Sequence, residues 1–216
     1  MTDSKWPKSE LADSHRVPLH HITSQLRFNT IAPTSGSTMD ASPTIRYARE
    51  EDVGLILQFI KQGSQDQAPG TQVAATEERL ASTLHFAPPS SDGPRSPTRF
   101  AWALLIFSPT GEPAGLLIYF FNYTTWTAAP GLCLEELYVA PEFRSHGYAR
   151  MLVEAMAGEA RRAGCVKMEW LCLRDNARAL RFYEKLGAER KDMWTILKVD
   201  EEGINRLGGG GAWTWA

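Results

Sequence analysis

The sequence predicts a mixed α/β domain, and three stretches carry that expectation. Residues 132–151 (LCLEELYVAPEFRSHGYARM) read as a strand, a tight turn and the start of a helix. Residues 100–107 and 114–123 are apolar strands joined by the turn Pro109-Thr110-Gly111-Glu112. Residues 166–173 form a nearly continuous apolar run of strand length, the composition expected of a strand covered on both faces.

The elements follow in order. Residues 1–43 mix Ser, Thr, Pro, His and charge without a sustained period and read as a disordered extension. His15, His20 and His21 lie there, but no second cluster supplies further ligands, so no metal site is expected. Residues 44–48 alternate as a first strand. Glu50, Glu51 and Asp52 then put acidic groups at the start of a helix running to about residue 62, where they suit its dipole; Ile56, Leu57 and Ile60 form the apolar face. Residues 65–72, with Pro69 and Gly70, read as a loop, and Thr76 starts a second helix that turns Leu80 and Leu84 inward. The proline-rich stretch 88–97 is either a surface insert or a cover over a site.

After the hairpin, the central strand 132–139 ends at Pro141, which has no N–H to give to a ladder. The helix 148–163 places Leu152, Met156 and Ala160 on one face and stops at Gly164. Asp175 or Asn176 caps the next helix, which ends at Gly187, and residues 193–199 read as a last strand. Residues 201–216 read as a flexible tail with Gly208 to Gly211 in it; Trp213 and Trp215 beyond are either an unstructured end or a docking contact.

Arg144-Ser145-His146-Gly147-Tyr148-Ala149 joins the central strand to its helix. A turn of small residues at a helix start offers unpaired backbone N–H groups and the positive end of a dipole, which suit a phosphate or pyrophosphate. Gly147 and Ala149 permit close approach, and Arg144 adds a charge. Further along stands Asn176-Ala177-Arg178-Ala179-Leu180-Arg181-Phe182-Tyr183-Glu184-Lys185-Leu186-Gly187-Ala188. Together these stretches, R-x-x-G-x-A and N-x-x-A-x-x-F-Y-x-x-x-G-A, resemble the two signatures of the GNAT N-acetyltransferase family, over about residues 44–200. Phe121-Asn122-Tyr123-Thr124-Thr125-Trp126, followed by Leu134-Glu135-Glu136, is similar to the family's diamine and thialysine acetyltransferase branch.

The resemblance implies the GNAT fold: a mixed, mostly antiparallel sheet of six to seven strands flanked by helices, with a splay between the central parallel strands. It implies acetyl-CoA as cosubstrate, with its pantetheine arm in the splay and the backbone of Leu137, Tyr138 and Val139 beside the acetyl carbonyl. It implies that Arg144, Ser145, His146, Gly147, Tyr148 and Ala149 hold the pyrophosphate, and that Asn176, Ala179 and Tyr183 contact the CoA arm. In the same way Tyr183 becomes the general acid to the leaving thiolate, Glu135 the base, and Glu136 a carboxylate that binds a cationic acceptor; a homodimer is implied too.

The chemistry agrees with these roles. A phenol with a pKa of about 10 suits a donor to a thiolate, and a primary ammonium with a pKa of about 10.4 needs a carboxylate to attract and deprotonate it. Glu135 and Glu136 are adjacent, so a regular strand points them to opposite faces. Tyr123 and Trp126 either line an alkylammonium pocket or are ordinary sheet-edge aromatics. The family's polyamine-specific members carry acidic residues where this chain has Thr124, Gly70 and Thr71. That departure favours a short amine or a lysine-like amino acid over a long polycation. Ser145-His146 is a second departure, from glycine or basic residues.

The whole chain bounds the reading. At 216 residues with a net charge of −2, it argues against nucleic acid or an anionic membrane as a partner. Cys133, Cys165 and Cys172 sit in apolar runs, as reduced thiols of a cytoplasmic compartment do. No apolar run reaches membrane-spanning length. The expected reaction is direct transfer from acetyl-CoA to a small primary amine. A protein lysine or N-terminus as acceptor and a non-catalytic acyl-CoA-binding module are the alternatives.

Overall fold

A computed structural model describes residues 42–89 and 98–209. The extension before residue 42, most of the 88–97 loop, and Trp213 and Trp215 lie outside the described residues. The chain forms strand β1 (Thr44–Tyr47), helices α1 (Val53–Gln67) and α2 (Glu77–Thr83), strands β2 (Leu84–His85), β3 (Ala101–Phe107), β4 (Pro113–Thr124) and β5 (Ala129–Val139), helix α3 (Tyr148–Arg162), strand β6 (Met168–Trp170), and helices α4 (Ala177–Lys185) and α5 (Glu201–Gly208). The sheet order is β1-β3-β4-β5-β6, with β2 alongside β3. The pairs β1–β3, β3–β4 and β4–β5 are antiparallel, and β5–β6 is parallel.

Each face of this mixed sheet has its own core, because successive side chains of a strand point to opposite sides. On one face Leu117, Tyr119, Leu132 and Leu134 pack with Leu152, Val153 and Met156 of α3. On the other, Leu116, Ile118 and Tyr138 pack with Ile56 and Phe59 of α1. Fully burying such aliphatic side chains contributes about 2 kcal/mol each. Asp52 pins the start of α1: it receives both Arg46 Nη1 (2.6 Å) and Nη2 (2.9 Å), and the Arg49 amide (2.7 Å).

Four departures from the sequence reading matter for the site. α1 continues past residue 62 to Gln67 although Gly63 and Ser64 are poor helix formers, because Gly63 is buried against Glu136 and Tyr138 and packing overrides propensity. Only Met168–Trp170 of the run 166–173 is a strand; Leu171 and Leu173 are exposed. Residues 193–199 form no strand, and Leu197 is 91% exposed. Residues 201–208, expected within a flexible tail, form α5, capped by Asp200 Oδ1 accepting from the Gly203 amide (2.9 Å).

Candidate active site

The parting of β5 and β6 creates the site. The two strands pair only through Leu132–Met168, Cys133–Glu169 and Leu134–Trp170. Beyond these, β5 runs on to Val139 with no strand on that side among the described residues, so this edge of its backbone borders an open wedge. The Leu137 and Val139 side chains pack toward the α3 core and Tyr138 is buried against Phe59. Main-chain groups alternate between the two edges of a strand. The Ala140 amide bonds the Ala114 carbonyl and the Tyr138 carbonyl lies against Gly115, so Tyr138 turns its main chain to β4 while Leu137 and Val139 turn theirs to the wedge.

At the end of β5 the turn Pro141–Phe143 leads to Ser145 (φ 69°) and Gly147 (φ 83°), both left-handed. Gly147 caps α3, whose first amides then point out of the helix. No atom lies within 4 Å of where a Gly147 side chain would begin, so a ligand can approach. Ser145, His146 and Gly147 are exposed, whereas the Tyr148 ring is in the core and leaves only its amide to the turn. Arg144 does not reach outward as expected: Nε donates to the Val139 carbonyl (2.8 Å) and Nη2 pairs with Asp66 on α1. The extra turn of α1 is what brings Asp66 there.

Asn176 caps α4, its Oδ1 accepting the Ala179 amide at 3.0 Å. α4 carries Phe182 and Tyr183 against the α3-side core, and Tyr183 packs on Trp170 with ring centroids 4.9 Å apart. Burial pushes the Tyr183 phenol up to about 12, with the charges of Cys172 and Glu136 adding to it.

The two carboxylates do not lie as the sequence suggested. Tyr119 pairs with Leu134 and Ile118 with Glu136, leaving Glu135 unpaired in a bulge. The bulge resets the alternation, so Glu136 joins the α1 face, which Cys133 and Glu135 already occupy by register. Glu136 Oε1 is buried without a hydrogen-bond partner, and a side chain at Gly63 would begin 3.0 Å from it. Burial first, then the charge of Glu135, raises the Glu136 carboxyl to about 7. Glu135 itself is exposed.

Tyr123 and Trp126, both exposed, stand where β4 turns into β5 and Tyr123 pairs with Pro130. That is about 16 Å from Glu135 at about 3.3 Å per residue, so the structure does not bring them to the carboxylates. The sequence reading missed Trp170, Cys172 and Gly63; only the fold places them beside Tyr183 and Glu136. Among the described residues no group of three His, Cys, Asp or Glu is arranged to hold a metal ion.

Residues 67–188 match the Acetyltransferase (GNAT) family. The chain is a GNAT acetyltransferase. A thialysine N-epsilon-acetyltransferase from Bos taurus is 30% identical to this acetyltransferase over 174 residues, 76% of this chain and 96% of that protein. An L-ornithine N5-acetyltransferase from Arabidopsis thaliana is 25% identical over 219 residues, 82% of this chain and 96% of that protein. Among solved structures, an integron cassette protein from the V. cholerae mobile metagenome superposes with a TM-score of 0.60 at 20% identity, over 77% of this chain and 98% of that one. A ribosomal-protein-alanine N-acetyltransferase from Brucella melitensis gives 0.57 at 18% identity, over 74% and 99%. These two share the fold of this acetyltransferase. The family implies acetyl-CoA as cosubstrate, and the open wedge beside β5 and the small-residue turn at α3 fit an extended arm ending in a pyrophosphate.

Proposed function

We propose that this enzyme transfers the acetyl group of acetyl-CoA to the primary amine of a small molecule, a diamine or a lysine-like amino acid, by direct attack in a ternary complex. The observation that carries the reading is the buried, unpartnered Glu136 Oε1 on the strand that parts from β6, within electrostatic reach of Tyr183.

The amides of Ser145 to Ala149 hold the pyrophosphate, and the β5 main chain at Leu137 and Val139 orients the arm and polarises the acetyl carbonyl. Arg144 acts from behind, tying Val139 to Asp66. Exposed Glu135 attracts the ammonium. Glu136, held near 7, is ionised in a useful fraction at neutral pH and takes the proton. This reverses the division of labour that the family resemblance suggests for the pair. Proton uptake by Glu136 removes a negative charge that holds the Tyr183 phenol up, so Tyr183 becomes a better donor as the thiolate leaves. Trp170 fixes the phenol ring for that step.

We also read the enzyme as a cytoplasmic homodimer. Its three unpaired cysteines suit a reducing compartment, and exposed Met193, Ile196, Leu197 and Val199 form an apolar stretch suited to a second copy.

The test of function is thiol release from acetyl-CoA with thialysine, lysine, ornithine, 1,3-diaminopropane, putrescine, spermidine and a lysine-bearing peptide. Turnover is expected on short free amines and amino acids, above that on spermidine. Turnover on the peptide alone would move the acceptor to a protein and end this reading.

A further inference from the structure

We propose that Lys167, Glu169 and Asn122 form a seat for the α-ammonium and α-carboxylate of an amino-acid acceptor, whose side-chain amine then reaches Glu135 and Glu136. The inference rests on the small-amine reading above and narrows it to amino acids.

Glu169 Oε1 receives both Lys167 Nζ (2.7 Å) and Asn122 Nδ2 (2.6 Å). Its other oxygen has no partner among the described residues, and Lys167 uses one of three donors. An ammonium with donors to spare therefore stands beside a carboxylate with an oxygen to spare. That pair complements a zwitterion, with the ligand carboxylate on Lys167 and the ligand ammonium on Glu169. Both side chains are open to an incoming molecule, at 35% and 51% exposure.

The seat is built rather than incidental. Asn122 pairs with Gly131 across β4 and β5, and the Lys167 stem crosses over the same glycine. A side chain at Gly131 would begin 2.8 Å from Lys167 Cε and would overlap Asn122 Oδ1. That oxygen is buried without a hydrogen-bond partner. An exposed ion pair contributes only about 0–1 kcal/mol to stability, too little to explain a buried glycine that makes room for it.

Spacing links the seat to the reacting end. Trp170 and Met168 pack on the α3 side, which puts Glu169 on the α1 side, the face of Glu136. Glu169 pairs with Cys133, two residues before Glu135. Two strand residues advance about 7 Å, close to the reach of a four-carbon stem such as that of lysine itself. The Cys133 thiol lies between the two ends: it is pushed up by burial, then by the charges of Glu135 and Glu169.

The test compares each amino acid with the diamine left when its carboxylate is removed: L-ornithine with putrescine, and L-lysine with cadaverine. The wild-type enzyme is expected to favour the amino acid in kcat/KM by at least about tenfold. Lys167→Met is expected to cut kcat/KM on the amino acids at least about tenfold more than on the diamines. Glu169→Gln should do the same, while Nα-acetyl-lysine should already be a poor substrate of the wild type. Acetyl-CoA affinity measured on each variant shows that the fold is intact. Equal preference for diamine and amino acid, or equal losses on both in the variants, would overturn the seat and leave the amine reading standing. Absence of turnover on every amine would overturn both.

Discussion

Tyr183→Phe is expected to lower kcat about 100-fold, and at least tenfold, while acetyl-CoA affinity stays nearly unchanged. General acid catalysis by a positioned side chain contributes about 10²–10⁴ in rate, and this substitution removes only the proton. The ring remains, so its packing on Trp170 and Phe182 remains. With the phenol held up to about 12, Tyr183 keeps its proton across the working pH range, and the donor role proposed for it begins only when negative charge appears on the sulfur. The readouts are single-turnover rate and equilibrium binding of acetyl-CoA. An unchanged rate would remove Tyr183 from the chemistry and leave it as a packing residue.

Glu136→Gln is expected to cost about 100-fold in kcat/KM at pH 7.5 and to abolish a pH dependence that the wild type shows. In the wild type log kcat/KM rises with pH until Glu136 is ionised, near 7, because only the carboxylate accepts a proton. Glutamine accepts none, so that inflection disappears. The same substitution should stabilise the protein. A carboxyl whose folded pKa lies above its ordinary 4.5 binds its proton more tightly folded than unfolded. Its contribution to stability is therefore complete below about 4.5 and is lost as pH rises to about 7. Above pH 7 the buried charge costs about 3 kcal/mol that glutamine avoids. Thermal midpoints of the two proteins should coincide near pH 4 and diverge at pH 8, the variant being higher. Matching Glu135→Gln data would show the exposed neighbour affecting KM more than the pH profile; a profile that moves with Glu135 instead would restore the opposite assignment.

What the sequence made legible is what local rules determine. The hairpin turn at Gly111, the stop at Pro141, the C-terminal glycines at 164 and 187 and the Asn176 cap all depend on near neighbours, and each appears at its expected place. The parts that stayed hidden depend on partners distant in sequence. Glu135 and Glu136 read as opposite-facing because the bulge that puts them on one face is a property of pairing with β4. The apolar run 166–173 read as a buried strand because composition does not reveal that its neighbour departs after Leu134. Arg144 read as a pyrophosphate contact, with no partner within the protein in view, because Asp66 was taken for loop, and α1 reaches it only through the burial of Gly63. The candidate site was thus legible as a set of motifs, and its electrostatics only as a folded object.

In the proposed reaction, acetyl transfer occurs directly between a cosubstrate in the β5–β6 wedge and an amine at Glu135 and Glu136. Its most direct test is the initial rate of thiol release with acetyl-CoA and a lysine-like amine both varied. Intersecting double-reciprocal lines, with N-acetylated amine as product, are the predicted result. Parallel lines, which signal an acetylated enzyme that forms before the amine binds, would contradict it.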